Sequence, residues 1–322
     1  MSAIETTNLT KQFNGLTAVD HLDLRIEPGT LYGFIGPNGA GKTTTLRLLA
    51  GLLEPTAGDI RLAGEDIRRN PEVARWLVGY MPDFFGVYDD MMVWEYLDFF
   101  GRCYNLPADR RERLVDELLA LVDLDRKRDD YVENLSRGMR QRLCLAHALV
   151  HDPEILLLDE PASGLDPRAR VEIRELLREL QRMGKTIIVS SHILSELAEM
   201  CDQVGIIERG RLLISGPTDE VRRHLHHEKT IRLTVISDVD AARAALSGYP
   251  GVGEVFEVNP STILRKGSGH GGGLEAGFVG DAEATAGLLA NLVQQGVKIT
   301  NFTEDVTDLE DVFLQITKGE VQ

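Results

Sequence analysis

From Gly36 to Thr43 the chain reads Gly-Pro-Asn-Gly-Ala-Gly-Lys-Thr, and few short runs restrict a fold so tightly. The run fits G-x-x-x-x-G-K-[ST], a pattern that works only between a strand and a helix. Its flanks comply, since Leu31–Ile35 reads as an apolar strand and Thr44–Leu49 as the start of a helix. Glycines let the backbone bend sharply and bring its N–H groups up to phosphate oxygens. The helix N-terminus adds positive potential at the same point. Lys42 is expected to neutralise β- and γ-phosphates, and Thr43 to offer its hydroxyl to Mg²⁺. Gly36, Asn38, Gly39, Ala40, Gly41 and Thr44 complete the expected nucleotide cradle.

A loop of this kind needs a carboxylate partner, and Ile155-Leu156-Leu157-Leu158-Asp159-Glu160 supplies one. An apolar run ending in acids reads as a buried parallel strand that delivers carboxylates at its C-terminal end. Asp159 is the expected Mg²⁺ ligand and Glu160 the expected general base that polarises the attacking water. Further strands are expected at Leu31–Gly36, Val78–Met81, Thr186–Ser190 and Val204–Glu208, and a helical stretch between Met91 and Leu121. The fold class is therefore α/β around a phosphate loop, with a helical stretch inserted in the sheet domain.

The bulk properties narrow the function classes. The 322 residues suit one large domain and a smaller one. Lys and Arg number 35 against 51 Asp and Glu, a net charge of −16 that opposes broad nucleic-acid binding. No apolar run approaches the ~20 residues that span a bilayer, and the N-terminal stretch has no apolar signal core. Cys103, Cys144 and Cys201 form no CxxC pair and read as buried or idle thiols.

Leu135-Ser136-Arg137-Gly138-Met139-Arg140-Gln141-Arg142, just before Asp159, resembles the LSGGQ signature of ATP-binding cassette (ABC) proteins. Ser136 and Gly138 match that pattern, whereas Arg137 and Met139 depart from its second Gly and its Gln. Read without the family, Ser136 is a plain helix cap. Ser163-Gly164-Leu165-Asp166 resembles the family's D-loop, and His192 its switch histidine, which contacts the γ-phosphate. Phe13 sits where the family stacks an aromatic ring on adenine. Asp83 stands where the family usually carries a Gln that touches Mg²⁺. It is shorter and charged, yet a good hard-cation ligand, and it joins Thr43 and Asp159 as a metal candidate.

The resemblance covers residues 3 to about 222. It implies a P-loop NTPase cassette with a mixed sheet core and an inserted helical subdomain, and a head-to-tail dimer with two ATP molecules at the interface. Each site combines Lys42, Thr43, Asp159, Glu160 and His192 of one chain with Ser136 and Gly138 of the other. It also implies a separate membrane-spanning permease, a place on the cytoplasmic face of the cell membrane, and no nucleic acid. The aromatic run from Phe84 to Phe100 is the expected permease-facing surface, with core packing as the alternative for its rings.

The ATPase domain is expected over residues 1–224, with its helical subdomain at about 86–150. An accessory α+β domain is expected over 225–322. Strands are expected at Ile231–Ile236, Gly253–Val258, Ala276–Val279 and Val297–Phe302, with helices at Ala241–Leu246, Ala282–Gln294 and Asp308–Thr317. Gly-Ser-Gly-His-Gly-Gly-Gly at 267–273 lacks a following Lys-Thr and reads as a flexible connection. His224, His226 and His227 have no acid or Cys to complete a metal site. The GYMPD run, the LSRGM-style signature and the ending Leu309-Glu310-Asp311-Val312-Phe313-Leu314 resemble type-two ABC exporters. The alternative is a soluble ABC protein acting on ribosomes or DNA, but such chains usually carry two cassettes or a long coiled coil.

Overall fold

The computed structural model describes residues 2–84, 86–225, 229–236, 239–258 and 272–305. The chain divides into two compact units, one ending at Thr218 and one beginning at Asp219. In the first unit β1 (Ile4–Phe13) and β2 (Leu16–Ile26) form an antiparallel hairpin, followed by β3 (Leu31–Ile35) and α1 (Lys42–Leu49). Next come β4 (Ala57–Leu62), β5 (Glu65–Asp66), α2 (Glu72–Leu77) and β6 (Val78–Met81). Three helices, α3 (Val93–Cys103), α4 (Ala108–Leu121) and α5 (Arg137–Ala148), separate β6 from β7 (Ile155–Asp159). The unit continues through α6 (Pro167–Arg182), β8 (Thr186–Ser191), α7 (Leu194–Ala198) and β9 (Gln203–Glu208) to β10 (Arg211–Pro217), and α8 (Thr218–Leu225) starts at the unit's last residue and runs into the second unit.

Two sheets result. One is four-stranded, ordered β2-β1-β4-β5, and the other six-stranded, ordered β10-β9-β3-β8-β7-β6. In the larger sheet β6, β7, β8, β3 and β9 run parallel, while β10 pairs antiparallel with β9, so the sheet is mixed. Every residue of β3 and of β7 is buried, as continuous apolar runs in the middle of a parallel sheet require. The smaller sheet follows a different rule. Leu22, Leu24 and Ile26 alternate inward on β2 and share a core with Leu46, Leu48 and Leu49 of α1 and with Tyr32 and Phe34 of β3. The phosphate loop and α1 are thereby wedged between two sheets.

In the second unit β11 (Lys229–Val235), α9 (Val239–Ser247), β12 (Val252–Val258), β13 (Gly272–Phe278), α10 (Ala282–Gln294) and β14 (Ile299–Asp305) form a split βαβ arrangement. Its antiparallel sheet is ordered β12-β13-β11-β14. Ile231, Leu233 and Val235 face Ala242, Leu246, Leu288 and Leu292 of the two helices in one core. α10 starts where Asp281 accepts the N–H of Ala284 at 2.8 Å. The strand expected at Ala276–Val279 begins earlier, because Gly272 and Gly273 pair with Val235 and Thr234. Residues 267–271 of the glycine run, the expected helix at Asp308–Thr317, and Phe85, His226 and His227 lie outside the described residues.

Candidate active site

β3 ends at Ile35, one residue short of the expected Gly36, and the chain turns through the phosphate loop into α1. Gly36 N–H donates to Ser191 O at 3.3 Å, and Gly210 N–H donates to Ala40 O at 2.8 Å, tying the loop to its neighbours. Gly41 precedes α1 with φ +106°, and a Cβ there would stand 2.4 Å from the Ala18 carbonyl oxygen. Only glycine satisfies both conditions. Lys42 opens α1 and is buried, with its Nζ donating to Gly36 O at 2.7 Å and to Pro37 O at 3.3 Å. Burial holds its ammonium below the usual lysine range, partly offset by the negative charges of Glu160, Asp159 and Asp83.

β7 brings the two acids to this loop. Asp159 is 1% exposed, and its Oδ1 accepts the Ser190 hydroxyl at 2.7 Å. Its Oδ2 has no hydrogen-bond partner among the described residues. A buried carboxylate oxygen left bare is expensive, and a cation is its natural complement. Glu160 follows with φ +51°, an uncommon conformation for a non-glycine residue. Its N–H donates to Ser190 Oγ at 3.0 Å. Its side chain lies between Lys42 and His192, with Oε1 3.5 Å from Lys42 Nζ and Oε2 3.0 Å from His192 Nδ1. A carboxylate oxygen only accepts, so Nδ1 carries the imidazole proton in this pair.

Of these groups Ser190 and His192 line a pocket that also meets Glu160, whereas Lys42 and Glu160 line an adjoining cleft of about 350 Å³, with Asn38, Gly39, Ala40, Gly41, Lys42, Thr43 and Thr44 along one wall. Asp83 and Glu160 face it, and Phe13 stands at the end of β1 with 41% of its surface exposed. Lys11 Nζ lies 5.0 Å from the centre of the Phe13 ring. Ser136 and Gly138 do not line this cleft. They sit at the start of α5, where Ser136 Oγ accepts the N–H of Met139 at 3.3 Å.

Sequence reasoning missed Ser190, which holds both acids at once. Its signal was a polar pair, Ser190-Ser191, closing an otherwise apolar strand. Leu16 and Ala18 of β2 also line the cleft and were not singled out. Asp159, with its bare oxygen, and the oxygen donors Thr43 and Asp83 of the adjoining cleft suit a hard divalent cation.

A mixed-sheet cassette with a phosphate loop, a paired Asp-Glu strand end and a histidine beside the base defines a nucleotide-hydrolysing P-loop domain. The comparisons carry this further. Residues 19–163 match the ABC transporter family. The Nod factor export ATP-binding protein I of Burkholderia lata is 37% identical over 326 aligned residues, covering 100% of this chain and 99% of that protein. The bacitracin transport ATP-binding protein BcrA of Bacillus licheniformis is 34% identical, covering 98% of this chain and 97% of that protein. Among solved structures, cbiO1 of Clostridium perfringens, part of the ABC transporter complex cbiONQ, superposes with a TM-score of 0.63. It is 28% identical and covers 70% of this chain and 94% of that chain.

The chain belongs to the ATP-binding subunits of ABC transporters, in the exporter-type branch that these relatives represent. It is an ATPase that works with a membrane permease. The ribosome and DNA alternative finds no support in these comparisons. Among the described residues no helix is long and apolar enough to cross a membrane.

Proposed function

We propose that two copies of this chain close on ATP and Mg²⁺ at the cytoplasmic face of a membrane and so drive an export permease. The carrying observation is Glu160, held 3.5 Å from Lys42 and 3.0 Å from His192 beside the phosphate loop. In this reading Lys42 neutralises the β- and γ-phosphates, and the loop N–H groups of Gly39, Gly41, Lys42, Thr43 and Thr44 cradle them. Phe13 stacks on adenine from the open end of the cleft. Glu160 accepts the proton of the attacking water. The water oxygen bonds to the γ-phosphorus, the bond to the bridging oxygen breaks, and ADP leaves with that electron pair. His192 keeps Glu160 aimed and contacts the γ-phosphate. Thr43, Asp159 and Asp83 would hold Mg²⁺, which would supply charge neutralisation for the phosphates.

Ser136 and Gly138 stand away from the cleft of their own chain, which suits a role at the partner's ATP. The division at Thr218 supports an ATPase domain over about 1–224 and an accessory domain over 225–322. The relatives' names attach similar cassettes to cargoes as different as Nod factor and bacitracin, which favours cargo choice by the permease. Glu160→Gln tests the chemistry. The variant is expected to bind ATP, to lose hydrolysis by about 10²–10⁴-fold, and to accumulate as an ATP-dependent dimer. Hydrolysis at the wild-type rate refutes Glu160 as the base. Copurification of a multi-span membrane protein from native membranes tests the coupling.

A further inference from the structure

We infer that Gln141 and Arg137 are positioning residues that fasten the start of α5 to the turn carrying Glu160. This deepens the reading above and rests on it. The turn begins where β7 ends. Ser163 N–H donates to Glu160 O at 3.0 Å, and Leu165 N–H donates to Ala162 O at 3.4 Å, so residues 160–165 fold back on themselves. α5 grips this turn at two points one helical turn apart, and Gly138 between them leaves room for Leu165. The Gln141 amide, 3% exposed, donates from Nε2 to Pro161 O, the carbonyl directly after Glu160. Arg137 Nη2 donates to Ser163 O at 3.1 Å, and its guanidinium lies against Gly164, where a Cβ would meet Arg137 Cζ at 2.5 Å. Between them, an added Cβ at Gly138 would touch Leu165 Cδ2 at 3.5 Å.

Two features give this clamp a purpose beyond packing. The first is the backbone of Glu160. Its φ of +51° persists only if neighbouring bonds over-determine it. Ser190 holds the N–H of Glu160 on one side, and Gln141 holds the next carbonyl on the other. The second is Gln141 Oε1, which is buried with no hydrogen-bond partner among the described residues. An apolar residue would avoid that cost, so the amide is kept for what its NH₂ group does. Arg137 stands where the signature pattern has glycine and adds a second fastening that glycine cannot make. In the proposed dimer the helix start that serves the partner's ATP is thereby bolted to the base that serves its own. A shift of Ser136 on engagement is transmitted through Gln141 and Arg137 to Glu160.

Gln141→Ala and Arg137→Ala in the full chain test this. Each is read by steady-state hydrolysis, by equilibrium binding of a fluorescent ATP analogue and by thermal melting. With the phosphate loop untouched, the expected result for Gln141→Ala is kcat down by about tenfold or more while analogue affinity changes by less than about threefold. A purely structural role moves melting and affinity together and leaves the kcat of the folded fraction intact, which overturns the proposal. If Gln141→Ala does not fold, Arg137→Ala decides. Its side chain is exposed, and a several-fold loss of kcat at unchanged affinity, restored in part by Arg137→Lys, supports the clamp. Wild-type kcat overturns it. A dead Glu160→Gln beside a fully active Gln141→Ala rejects this inference alone, whereas an active Glu160→Gln rejects the reading beneath it.

Discussion

Gly41→Ala separates backbone strain from collision in the phosphate loop. The native φ of +106° is a region that L-residues rarely adopt, at a cost of about 1–3 kcal/mol. The new Cβ would also stand 2.4 Å from the Ala18 carbonyl oxygen and 3.4 Å from Gly210 Cα, and both are main-chain atoms. No rotamer change relieves such a contact. Ala18 belongs to β2, which β1 holds by its ladder, so the loop is the part that yields. Overpacking of this kind costs a further ~1–3 kcal/mol. The total, about 2–6 kcal/mol, corresponds to ATP binding weaker by about 30-fold to 10⁴-fold if the loop bears it all.

Gly29→Ala is the control, since Gly29 has φ +73°, nothing within 4 Å of the added atom, and no place in the cleft. It carries only the dihedral cost, about 1 kcal/mol, and leaves nucleotide affinity unchanged. Titration with a fluorescent ATP analogue, alongside melting curves, reads both variants. If Gly41→Ala binds within about threefold of wild type and melts with Gly29→Ala, the collision argument is wrong.

Ser136→Ala removes a cap bond of 3.3 Å at an exposed helix start, which is worth about 1 kcal/mol or less and lowers the melting temperature slightly. Analogue binding to the isolated chain is expected to hold while hydrolysis falls more than about tenfold; a loss that only tracks the folded fraction reduces Ser136 to a cap. Burial, then the neighbouring His151, pushes His147 down to about 4, with its ring stacked on Phe100 at 3.6 Å and its Nδ1 3.5 Å from the Tyr96 hydroxyl. The folded value lies below the unfolded one of about 6.5, so the unfolded chain takes the proton first. This contribution to stability is complete above about pH 6.5 and is lost as the pH falls towards 4, by up to about 3 kcal/mol. Urea midpoints at pH 7.5 and 5 check it, and His147→Asn should flatten the difference; an equally steep loss in the variant assigns the acid sensitivity elsewhere.

Much of the site was legible because its chemistry comes in contiguous runs. The phosphate loop, the acids of β7 and the histidine after β8 each lie at the end of an apolar strand. The strands Val78–Met81 and Ile155–Asp159 stand where their residues predict them. Periodicity also carried the α/β alternation of the first unit, and the cassette followed from the resemblance. The hairpin of β1 and β2 was not among the strands expected, because its polar faces and irregular register blur the alternation. The extension of β13 through two glycines was equally hidden, since glycine reads as a break until a partner strand pairs with it.

What local pattern does not encode is which strand lies beside which. Lys42, Glu160 and His192 meet because β3, β8 and β7 are neighbours, and the register of β7 on β8 sets Asp159 opposite Ser190. Parallel neighbours are joined by long crossovers, so their order follows from how helices cover both faces of the sheet. The clamp from α5 to the turn after Glu160 has the same origin. Gln141 and Pro161 are distant in sequence, and only the packing of α5 brings the amide to that carbonyl. The residue types that can do the chemistry were written in the chain, and tertiary packing decided which of them touch.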